Sequence, residues 1–553
     1  MTDGPAAAEM SQYAAWRTRH RQWRARSRPD VPLGGNPLLS VVIDCAAGDS
    51  DALAITVESL LAQTFRNVEV TLCGVPRDTM AATHSELDRW TTLGFGLRGL
   101  VWEPGRVAAH ALSAAHPSAC APLTRGDFVM CVPSGTTFDE DCFAEVCHTL
   151  DASELAADPS LILIDHDRVP ADGGAAVPHL LWHWGIDQLL DEDLIGASFA
   201  ASRDCIAQRG GPPCAGLREW ILALMSGGAE PDFLHVASPV VHLPSSASAT
   251  AEGRALAASR VEVDIRTRTR TRIDARAREG VSVIIPTRNH ASLLRECVGC
   301  LAEPDRPLEI IVVDNGSDNP DALALLRELA EQGSARVLRS PGPFNFSLLV
   351  NLGLAESRHP TIMLLNTDVR IGQWGRAAHL VDYVWRDGVG VVGTTLHYPD
   401  GRVQHAGVVL RDFQVAHHVM RGAAPGSAGY RLAHAQPRSL QAVTGALMVV
   451  RREVVDAIGG FDQDNLPVEW NDIEFCTRAR RAGWRVVCVP SSGIVHEECA
   501  TRGHDATAAV LQMRRDAAWH MMGVWGQRCV SAPFARASLM TEDVDRPLLR
   551  EPG

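Results

Sequence analysis

Two stretches of the sequence repeat the same order of apolar and polar positions. In the first, the run LLSVVID at residues 38–44 precedes a helical pattern over 53–63 and a second apolar run over 68–73. In the second, VSVIIP from Val281 precedes the polar turn TRNH, a helical pattern over 291–301 and the run LEIIVVDNGSD. Near-continuous Val/Ile runs around a helix predict parallel strands buried on both faces, and hence βαβ units. We therefore predict an internal duplication of one α/β domain.

Composition places the domain boundaries. A chain of 553 residues is too long for a single core. Residues 245–280, between the two repeats, are rich in Ala, Ser, Thr and Arg, which predicts a helix and an exposed linker. The predicted order is an N-terminal helical segment (1–36), a first α/β domain (37–245), a helical linker (246–280), a second α/β domain (281–505) and a helical tail (506–553).

The strand ends of the two copies differ in chemistry. The second copy has polar side chains at three strand ends: Pro286, Thr287, Arg288 and Asn289; Asp314 and Asn315; Asn366 and Asp368. The first copy has small or apolar residues at the matching ends, 73–76 and 133–135, although Asp165 and Asp167 follow a later apolar run. Ligands of open α/β sheets bind beyond the carboxyl ends of the strands. The second copy is therefore the candidate active domain, and the first is expected to be catalytically silent.

Composition and missing motifs exclude several classes of protein. The net charge of -14 argues against a nucleic-acid partner. No lysine occurs, which rules out a P-loop, and no GxGxxG follows the first strand of either copy. The 14 cysteines lack the spacing of a disulfide scaffold, and the close pair Cys297 and Cys300 is expected to be two buried thiols. No signal peptide or membrane-spanning stretch is evident, so a cytoplasmic location is expected.

A set of motifs in the second copy resembles one known family. The segments VSVIIPTRNH, IIVVDNGSD, FNFSLLVNLGLA, IMLLNTDV, TGALMVVRREVVDAIGGFDQ, VEWNDIEFCTRARRAGWRVVCVP and VHEE follow one another in the order found in family 2 glycosyltransferases with the GT-A fold. The first copy resembles a degenerate member of that family. The resemblance implies two GT-A-like domains in tandem, each with a Rossmann-like, mostly parallel sheet, as in bacterial proteins of surface polysaccharide synthesis.

The resemblance assigns the residues that would bind the donor and the metal. The donor-binding residues would be Pro286, Thr287, Asn289, Asp314, Asn315, Asn351 and Asn366. Asn366-Thr367-Asp368 stands at the family's DxD motif, so Asp368 is the expected ligand of Mn²⁺ or Mg²⁺, and His496 matches the C-terminal metal-binding histidine. Asn366 offers a carbonyl oxygen without charge, so cation affinity should depend more on Asp368 and on the substrate's phosphates.

The resemblance also assigns the acceptor side. Asp472 corresponds to the catalytic base at the start of a helix, with Trp470, Asn471 and Glu474 on the acceptor side. Because a carboxylate in a first helical turn also interacts favourably with the helix dipole, the position alone is not decisive. The segment 398–438, which contains His405, His417 and His418, resembles the family's acceptor-side insert; a mobile flap and a plain surface loop both fit its glycines and alanines.

The implied activity is an inverting, metal-dependent transfer of a hexosyl or deoxyhexosyl group. The donor would be a nucleotide-diphosphate sugar and the acceptor a saccharide or a polyprenyl-linked glycan, with peripheral binding at the inner membrane face as one arrangement. Two alternatives stay open. A non-catalytic carbohydrate-binding or scaffold protein would follow if the second copy were also degenerate. A nucleotidyltransferase would share the sheet and the metal, although it usually needs a more basic first loop.

Overall fold

The computed structural model describes two α/β units and several flanking elements. The described residues are 5–27, 36–45, 49–73, 124–151, 159–170, 174–180, 198–209, 233–245, 273–412, 415–426, 436–497, 508–525, 539–540 and 548–549. The predicted linker at 246–280 therefore lies outside them except for its last eight residues, 273–280, which include a 3₁₀ turn at Ala275–Arg278. None of the helices in these ranges combines the length and apolar character needed to cross a bilayer.

The first unit contains one mixed sheet. Its strands are β1 Leu39–Asp44, β2 Val68–Cys73, β3 Phe128–Pro133, β4 Thr137–Phe138, β5 Leu161–Val169, β6 Val177–His179, β7 Phe199–Ser202 and β8 Phe233–Pro244. Its helices are α1 Pro5–Ser27, α2 Ser50–Leu61, α3 Cys142–Asp151 and α4 Arg203–Arg209. The strand order is β2-β1-β3-β7-β5-β8-β4, with β6 beside β5. Helix α2 starts three residues earlier than predicted because Asp49 caps it by accepting the backbone N–H groups of Asp51 and Ala52.

The second unit is built around a larger set of elements. Its strands are β9 Val281–Thr287, β10 Leu308–Asp314, β11 Arg336–Arg339, β12 Thr361–Leu365, β13 Val369–Arg370, β14 Val389–Thr394, β15 Leu396–His397, β16 Val403–His405, β17 Val408–Asp412, β18 Val415–His418, β19 Arg438–Ser439, β20 Leu447–Arg451, β21 Arg485–Val489 and β22 Val495–His496. Its helices are α5 Ala291–Gly299, α6 Pro320–Glu331, α7 Phe346–Glu356, α8 Trp374–Val384, α9 Arg452–Ile458 and α10 Asn471–Arg481. Helix α11 Ala508–Trp525 and the paired strands β23 Leu539–Met540 and β24 Leu548–Leu549 follow, so the predicted helical tail also contains strands.

The main sheet of the second unit has the order β11-β10-β9-β12-β20-β14-β21-β19. Strands β11, β10, β9 and β12 are parallel, as the apolar runs predict. Strand β20 is antiparallel to both of its neighbours, β12 and β14, while β14 and β21 are parallel to each other, so the sheet is mostly parallel, as predicted. Strands β13, β22, β15 and β16 form a separate small sheet beside it. The mixed α/β class itself is confirmed.

Both faces of this sheet are covered by apolar side chains. Val283 and Ile285 of β9 belong to the core on one face, and Ile284 belongs to the core on the other. This alternation explains why β9 reads as a continuous apolar run. Helix α7 packs closely over β9, where a Cβ added to Gly353 would lie 2.4 Å from Ile284 Cγ2. The sheet therefore provides a rigid base for the polar residues at its strand ends.

Candidate active site

Three parallel strands of the second unit bring their polar ends to one edge of the sheet. The register of β9 and β10 places Thr287 beside Asp314. The backbone N–H of Asn315 then donates to the carbonyl of Thr287 at 2.8 Å, which extends this pairing past the strand end. Pro286, Thr287, Asp314 and Asn315 are all buried. The structure thus brings together these four predicted donor-binding residues.

Asp314 has one carboxylate oxygen engaged and one without a hydrogen bond. Its Oδ1 accepts the backbone N–H of Ser317 at 2.9 Å and also the hydroxyl of that serine. Its Oδ2 is buried and has no hydrogen-bond partner among the described residues, although Arg339 Nε lies 3.8 Å away. The side-chain oxygen of Asn315 is also buried and has no hydrogen-bond partner among the described residues. Buried acceptors without partners suit a ligand that brings N–H or O–H donors.

Asn289 and Asn351 have their side chains committed to the protein itself. The Asn289 oxygen accepts the backbone N–H groups of Asp318 and Asn319, and its amide donates to Asp318. The Asn351 oxygen accepts the N–H of Phe461 at 2.8 Å, and its amide donates to the carbonyl of the same residue at 2.9 Å. Both asparagines thus fasten a loop to a neighbouring element, a function that their predicted donor-binding role did not include.

Asp368 and His496 face each other at the start of the small sheet. Val369 pairs with His496 in the antiparallel ladder of β13 and β22, and the N–H of Glu497 donates to the carbonyl of Asp368 at 3.0 Å. This ladder places His496 Nε2 3.4 Å from Asp368 Oδ1. Two atoms bound to one cation at about 2.1 Å each, at 90–110°, are about 3.0–3.4 Å apart. The pair therefore fits two ligands of one divalent ion.

The remaining ligands of such an ion would come from elsewhere. Within the described ranges, no group of three or more His, Cys, Asp or Glu side chains is arranged to hold a metal. A diphosphate or water could supply the missing oxygens. Asn366 is half-buried, and its backbone N–H donates to the carbonyl of Ala446 at 2.9 Å. Asn366 is thus held beside the segment that also contacts Asp472.

Asp472 is oriented by two backbone N–H groups. Its Oδ2 accepts the N–H of Gly445 at 2.9 Å, and its Oδ1 accepts the N–H of Ile473 at 2.9 Å. Burial raises the pKa of this carboxyl above its ordinary value, although the two backbone hydrogen bonds act in the opposite direction. Because Gly445 precedes Ala446, Asp472 and the strand end at Asn366 are hydrogen-bonded to consecutive residues. A carboxylate with a raised pKa and a fixed orientation suits a general base.

The other three predicted acceptor-side residues shape the start of α10. Trp470 has a left-handed backbone with φ of 65°, and its carbonyl accepts the N–H of Glu474 at 2.9 Å. Asn471 is buried; its amide donates to Ser347 at 3.2 Å, and its oxygen accepts the N–H of Asp472 at 2.7 Å. These contacts fix the backbone of the first turn of α10, from which the side chain of Asp472 projects.

Glu474 forms an ion pair on the same helix. Both of its oxygens accept from Arg478, at 2.7–2.9 Å. The guanidinium of Arg478 also donates to the carbonyls of Ile458 and Gly460. Glu474 therefore joins α10 to the end of α9, and its oxygens are bound to an arginine that is itself held by backbone carbonyls.

Sequence reasoning missed Gln404 and Gly445. Gln404 is buried, and its Oε1 lies 2.8 Å from His496 Nδ1, while its amide donates to the backbone carbonyl of His496. Gly445 supplies an N–H to Asp472. A glutamine in the predicted acceptor-side insert gives no signal for a metal site, because its partner is 92 residues away. A glycine that acts through its backbone gives none either.

The chain is similar to one known protein family and to several known proteins. Residues 282–459 match the family model described as glycosyl transferase family 2. An uncharacterized protein, y4gI, of Sinorhizobium fredii is 30% identical over 93% of this chain and 59% of its own length. The O-antigen biosynthesis protein RfbC of Myxococcus xanthus is 26% identical over 91% of this chain and 41% of its own length. The chain thus spans 41–59% of the length of these two relatives.

A shorter relative and two solved structures are also similar. An N-acetylglucosaminyl-diphospho-decaprenol L-rhamnosyltransferase of Mycobacterium tuberculosis is 24% identical over 36% of this chain and 70% of its own length. The mannosyltransferase PcManGT of Pyrobaculum calidifontis, solved with GDP-Man and Mn²⁺, is 21% identical over 46% of this chain and 67% of its own, with a TM-score of 0.33. GalNAc-T7, solved with UDP, GalNAc and Mn²⁺, is 17% identical over 45% of this chain and 48% of its own, with a TM-score of 0.37.

Proposed function

Because the chain contains a glycosyl transferase family 2 domain at residues 282–459, we propose that its second unit is an inverting, metal-dependent glycosyltransferase. The donor is a nucleotide-diphosphate sugar, and the acceptor is a hydroxyl of a saccharide or of a polyprenyl-linked glycan. One observation carries the proposal: Gly445 donates to the carboxylate of Asp472, and the next residue, Ala446, accepts from Asn366, which lies two residues before Asp368 of the Asp368–His496 pair.

The donor half of the reaction uses the sheet edge. Asp314 would accept a hydrogen bond from the nucleoside at its unpartnered Oδ2, and Asn315 would accept another beside it. Asp368 and His496 would hold Mn²⁺ or Mg²⁺, which supplies positive charge next to the diphosphate when it is bound. The ladder between β13 and β22 pairs His496 with Val369, the residue after Asp368, and so brings the two side chains near each other without a bound donor.

The acceptor half uses the start of α10. Asp472 would take the proton of the acceptor hydroxyl as that oxygen attacks the anomeric carbon from the face opposite the leaving nucleotide, through a transition state with oxocarbenium character. Each of its oxygens accepts one backbone N–H, which leaves one lone pair of each for the hydroxyl. Its pKa, raised by burial, brings it closer to that of an effective base at neutral pH.

The first unit is proposed to be a degenerate, silent copy. Six of its strands, β2-β1-β3-β7-β5-β8, follow the order and relative directions of β10-β9-β12-β20-β14-β21. In this correspondence two strand pairings match. His242 of β8 pairs with Thr137 of β4, and His496 of β22 pairs with Val369 of β13. A histidine thus stands at the position of the proposed metal ligand in both copies, although the two surroundings differ.

In the first unit, side chains of helix α1 lie around His242 and its two carboxylate partners. His242 lies between Asp167, at 2.7 Å from its Nδ1, and Asp139, at 3.1 Å from its Nε2. Arg17 of α1 pairs with Asp167 at 3.0 Å, and Arg24 pairs with Asp139 at 2.6 Å. Both ring nitrogens are therefore engaged, and arginine charges stand where the second unit would bind a cation. This arrangement supports a structural role for the first copy.

The relatives suggest a biological setting. One is named for O-antigen biosynthesis, and another for rhamnosyl transfer to a decaprenol-linked acceptor. Synthesis of a bacterial cell-surface polysaccharide on a lipid-linked glycan is the setting that we propose for this chain. Because the chain covers only part of the length of its longer relatives, the proposal concerns the reaction of the second unit.

The proposal is tested by the product released from the donor. The full chain is incubated with Mn²⁺ and a panel of nucleotide-diphosphate sugars, with and without lipid-linked or free saccharide acceptors, and the released phosphates are identified. Acceptor-dependent release of a nucleoside diphosphate supports the proposal. A parallel incubation contains a sugar phosphate and a nucleoside triphosphate, and pyrophosphate release there identifies a nucleotidyltransferase. Saturable donor binding without any release identifies a binding protein.

A further inference from the structure

Strand β16 carries a buried glutamine whose two polar groups both contact the predicted metal-binding histidine. Gln404 Oε1 lies 2.8 Å from His496 Nδ1, and its Nε2 donates to the backbone carbonyl of His496 at 3.3 Å. Gln404 is 5% exposed. Because the amide is fixed by the carbonyl of His496, its oxygen is turned toward the ring. The side chain therefore has one orientation relative to the histidine.

This orientation determines which ring nitrogen of His496 carries the proton. An amide oxygen is an acceptor, so Nδ1 of the ring must be the donor in this contact. In a neutral imidazole the other nitrogen then has a free lone pair. That nitrogen, Nε2, is the one that lies 3.4 Å from Asp368 Oδ1. The lone pair is thus on the nitrogen nearer to Asp368, where a cation would be shared by the two side chains.

We propose that Gln404 is a positioning residue that holds His496 in the Nδ1–H tautomer and so prepares Nε2 as a metal ligand. The inference rests on the proposed metal site, and it names a residue outside the motifs that predicted that site. Partners of this kind orient the ring of a ligating histidine and increase its basicity, and their loss typically lowers metal affinity about 10–100-fold. Gln404 contacts His496 and would not itself be a ligand of the cation.

Two matched substitutions of buried glutamines separate this role from general packing. Gln404→Met keeps the side-chain length and removes both hydrogen bonds to His496. Gln441→Met makes the same change at a glutamine that is 1% exposed and whose Oε1 accepts the N–H of Leu410. Gln404→Glu restores an acceptor for Nδ1–H, as a carboxylate partner does in many metal sites.

The first readout is the tautomer of His496 in the metal-free full chain. ¹⁵N-histidine labelling at a pH where the ring is neutral reports it, and the His496→Ala spectrum assigns the signal. We expect the Nδ1–H form in the wild type, in Gln441→Met and in Gln404→Glu, and a mixed or Nε2–H form in Gln404→Met. An unchanged tautomer in Gln404→Met overturns the proposal.

The second readout is the binding of Mn²⁺ alone, followed by the electron paramagnetic resonance of the free ion. We expect about 10–100-fold weaker binding in Gln404→Met and wild-type affinity, within a few-fold, in Gln441→Met and Gln404→Glu. Equal affinity in Gln404→Met and the wild type overturns the positioning role. If His496→Ala binds Mn²⁺ as the wild type does, the metal site itself is wrong, and the tautomer signal still decides whether Gln404 orients the ring.

Discussion

Gly445 donates its backbone N–H to Oδ2 of Asp472 at 2.9 Å. The donor is part of the turn that precedes β20, while the acceptor is in the first turn of α10, so the contact joins a sheet edge to a helix start. The N–H of Ile473 holds the other carboxylate oxygen in the same way. The proposed base is therefore oriented by backbone groups, which substitution of neighbouring side chains does not remove.

Asp472→Asn is expected to remove most of the turnover and to keep donor affinity. An amide cannot accept the acceptor's proton, and loss of a general base typically lowers the rate about 10²–10⁴-fold. The structure adds a cost in stability: both carboxylate oxygens accept N–H groups, so the new NH₂ must face one of them, at about 1–3 kcal/mol. Release of the buried charge offsets part of this cost. Steady-state kinetics with the donor titrated at saturating acceptor separates kcat from KM.

Glu474→Gln is the control for that experiment. It changes a neighbouring carboxylate whose oxygens are bound to Arg478. Because Arg478 also holds the carbonyls of Ile458 and Gly460, the expected effect is a lower free energy of unfolding with kcat within a few-fold of the wild type. If Glu474→Gln loses turnover and Asp472→Asn keeps it, the base is the other carboxylate.

The stability of the chain should also depend on pH through Asp472. Burial is the main cause that raises the pKa of this carboxyl in the folded state. A group with a raised folded pKa stabilises the fold below its unfolded pKa of about 3.9, and this contribution is lost as the pH rises through the folded pKa. The Asp472→Asn variant lacks this titration. Between about pH 4 and neutral pH, the wild type should therefore lose stability relative to the variant.

Urea unfolding of both proteins at several pH values tests this expectation. The difference in unfolding free energy between Asp472→Asn and the wild type should shift in favour of the variant with increasing pH. A difference that stays constant, or that shifts toward the wild type, would mean that burial does not dominate the environment of this carboxyl.

Removal of either predicted metal ligand should weaken the binding of Mn²⁺. Asp368→Ala and His496→Ala each remove one of two groups that lie 3.4 Å apart, and the donor should bind more weakly with its manganese dependence lost. Asp464→Ala removes an exposed carboxylate in the second unit and serves as the matched control. Calorimetric titration of a nucleoside diphosphate with and without Mn²⁺ gives the readout. Manganese dependence that persists in His496→Ala would leave that residue structural.

Substitutions of Asp314 and Asn289 should have different effects on nucleotide affinity and on stability. Asp314→Asn keeps an oxygen for Ser317 but places NH₂ where the unpartnered Oδ2 was, so nucleotide affinity should fall by about 1.5–3 kcal/mol, the range of hydrogen bonds to charged groups. Asn289→Ala removes hydrogen bonds to Asp318 and Asn319, so stability should fall while nucleotide affinity changes less. Equal losses of affinity in the two variants would support the predicted binding role of Asn289.

The sequence predicted the strands well because apolar runs depend on local pattern. The run at 68–73 is a strand over those residues, and the run at 281–287 is buried on both faces. It did not predict the antiparallel direction of β20, because strand direction follows from the path of the intervening insert, which periodicity does not encode. The mixed sheet is the result.

The site was predicted in part, for a related reason. Motif positions predicted Asp368, His496 and Asp472. Asp368 lies 3.4 Å from His496, and Asp472 accepts from Gly445, whose neighbour Ala446 accepts from Asn366. Long-range hydrogen bonds could not be foreseen: the amide of Asn351 is taken by Phe461, 110 residues away. An asparagine that binds a ligand and one that fastens a loop have the same letter in the sequence, and only their partners distinguish them.

Arg24 should be important for the stability of the first unit. Its side chain is 2% exposed, and its guanidinium pairs with Asp139 at 2.6 Å and with Asp141 at 2.9 Å. Removal of one partner of a buried ion pair leaves an uncompensated charge and typically costs about 3–5 kcal/mol. Arg24→Ala should therefore lower the unfolding midpoint of the first unit, whereas Arg26→Ala, an exposed arginine of the same helix, should change it little.

Neither change should create or remove a transferase activity, because the first copy is proposed to be silent. The complementary experiment combines Asp368→Ala with Asp472→Asn in the full chain, which disables the second unit and leaves the first intact. Sugar transfer should then fall to background with every donor in the panel. Arginine side chains of α1 lie around His242 and its partner Asp139. If the double variant still transfers sugar, and the addition of Arg24→Ala to it abolishes that transfer, the first copy is an active enzyme.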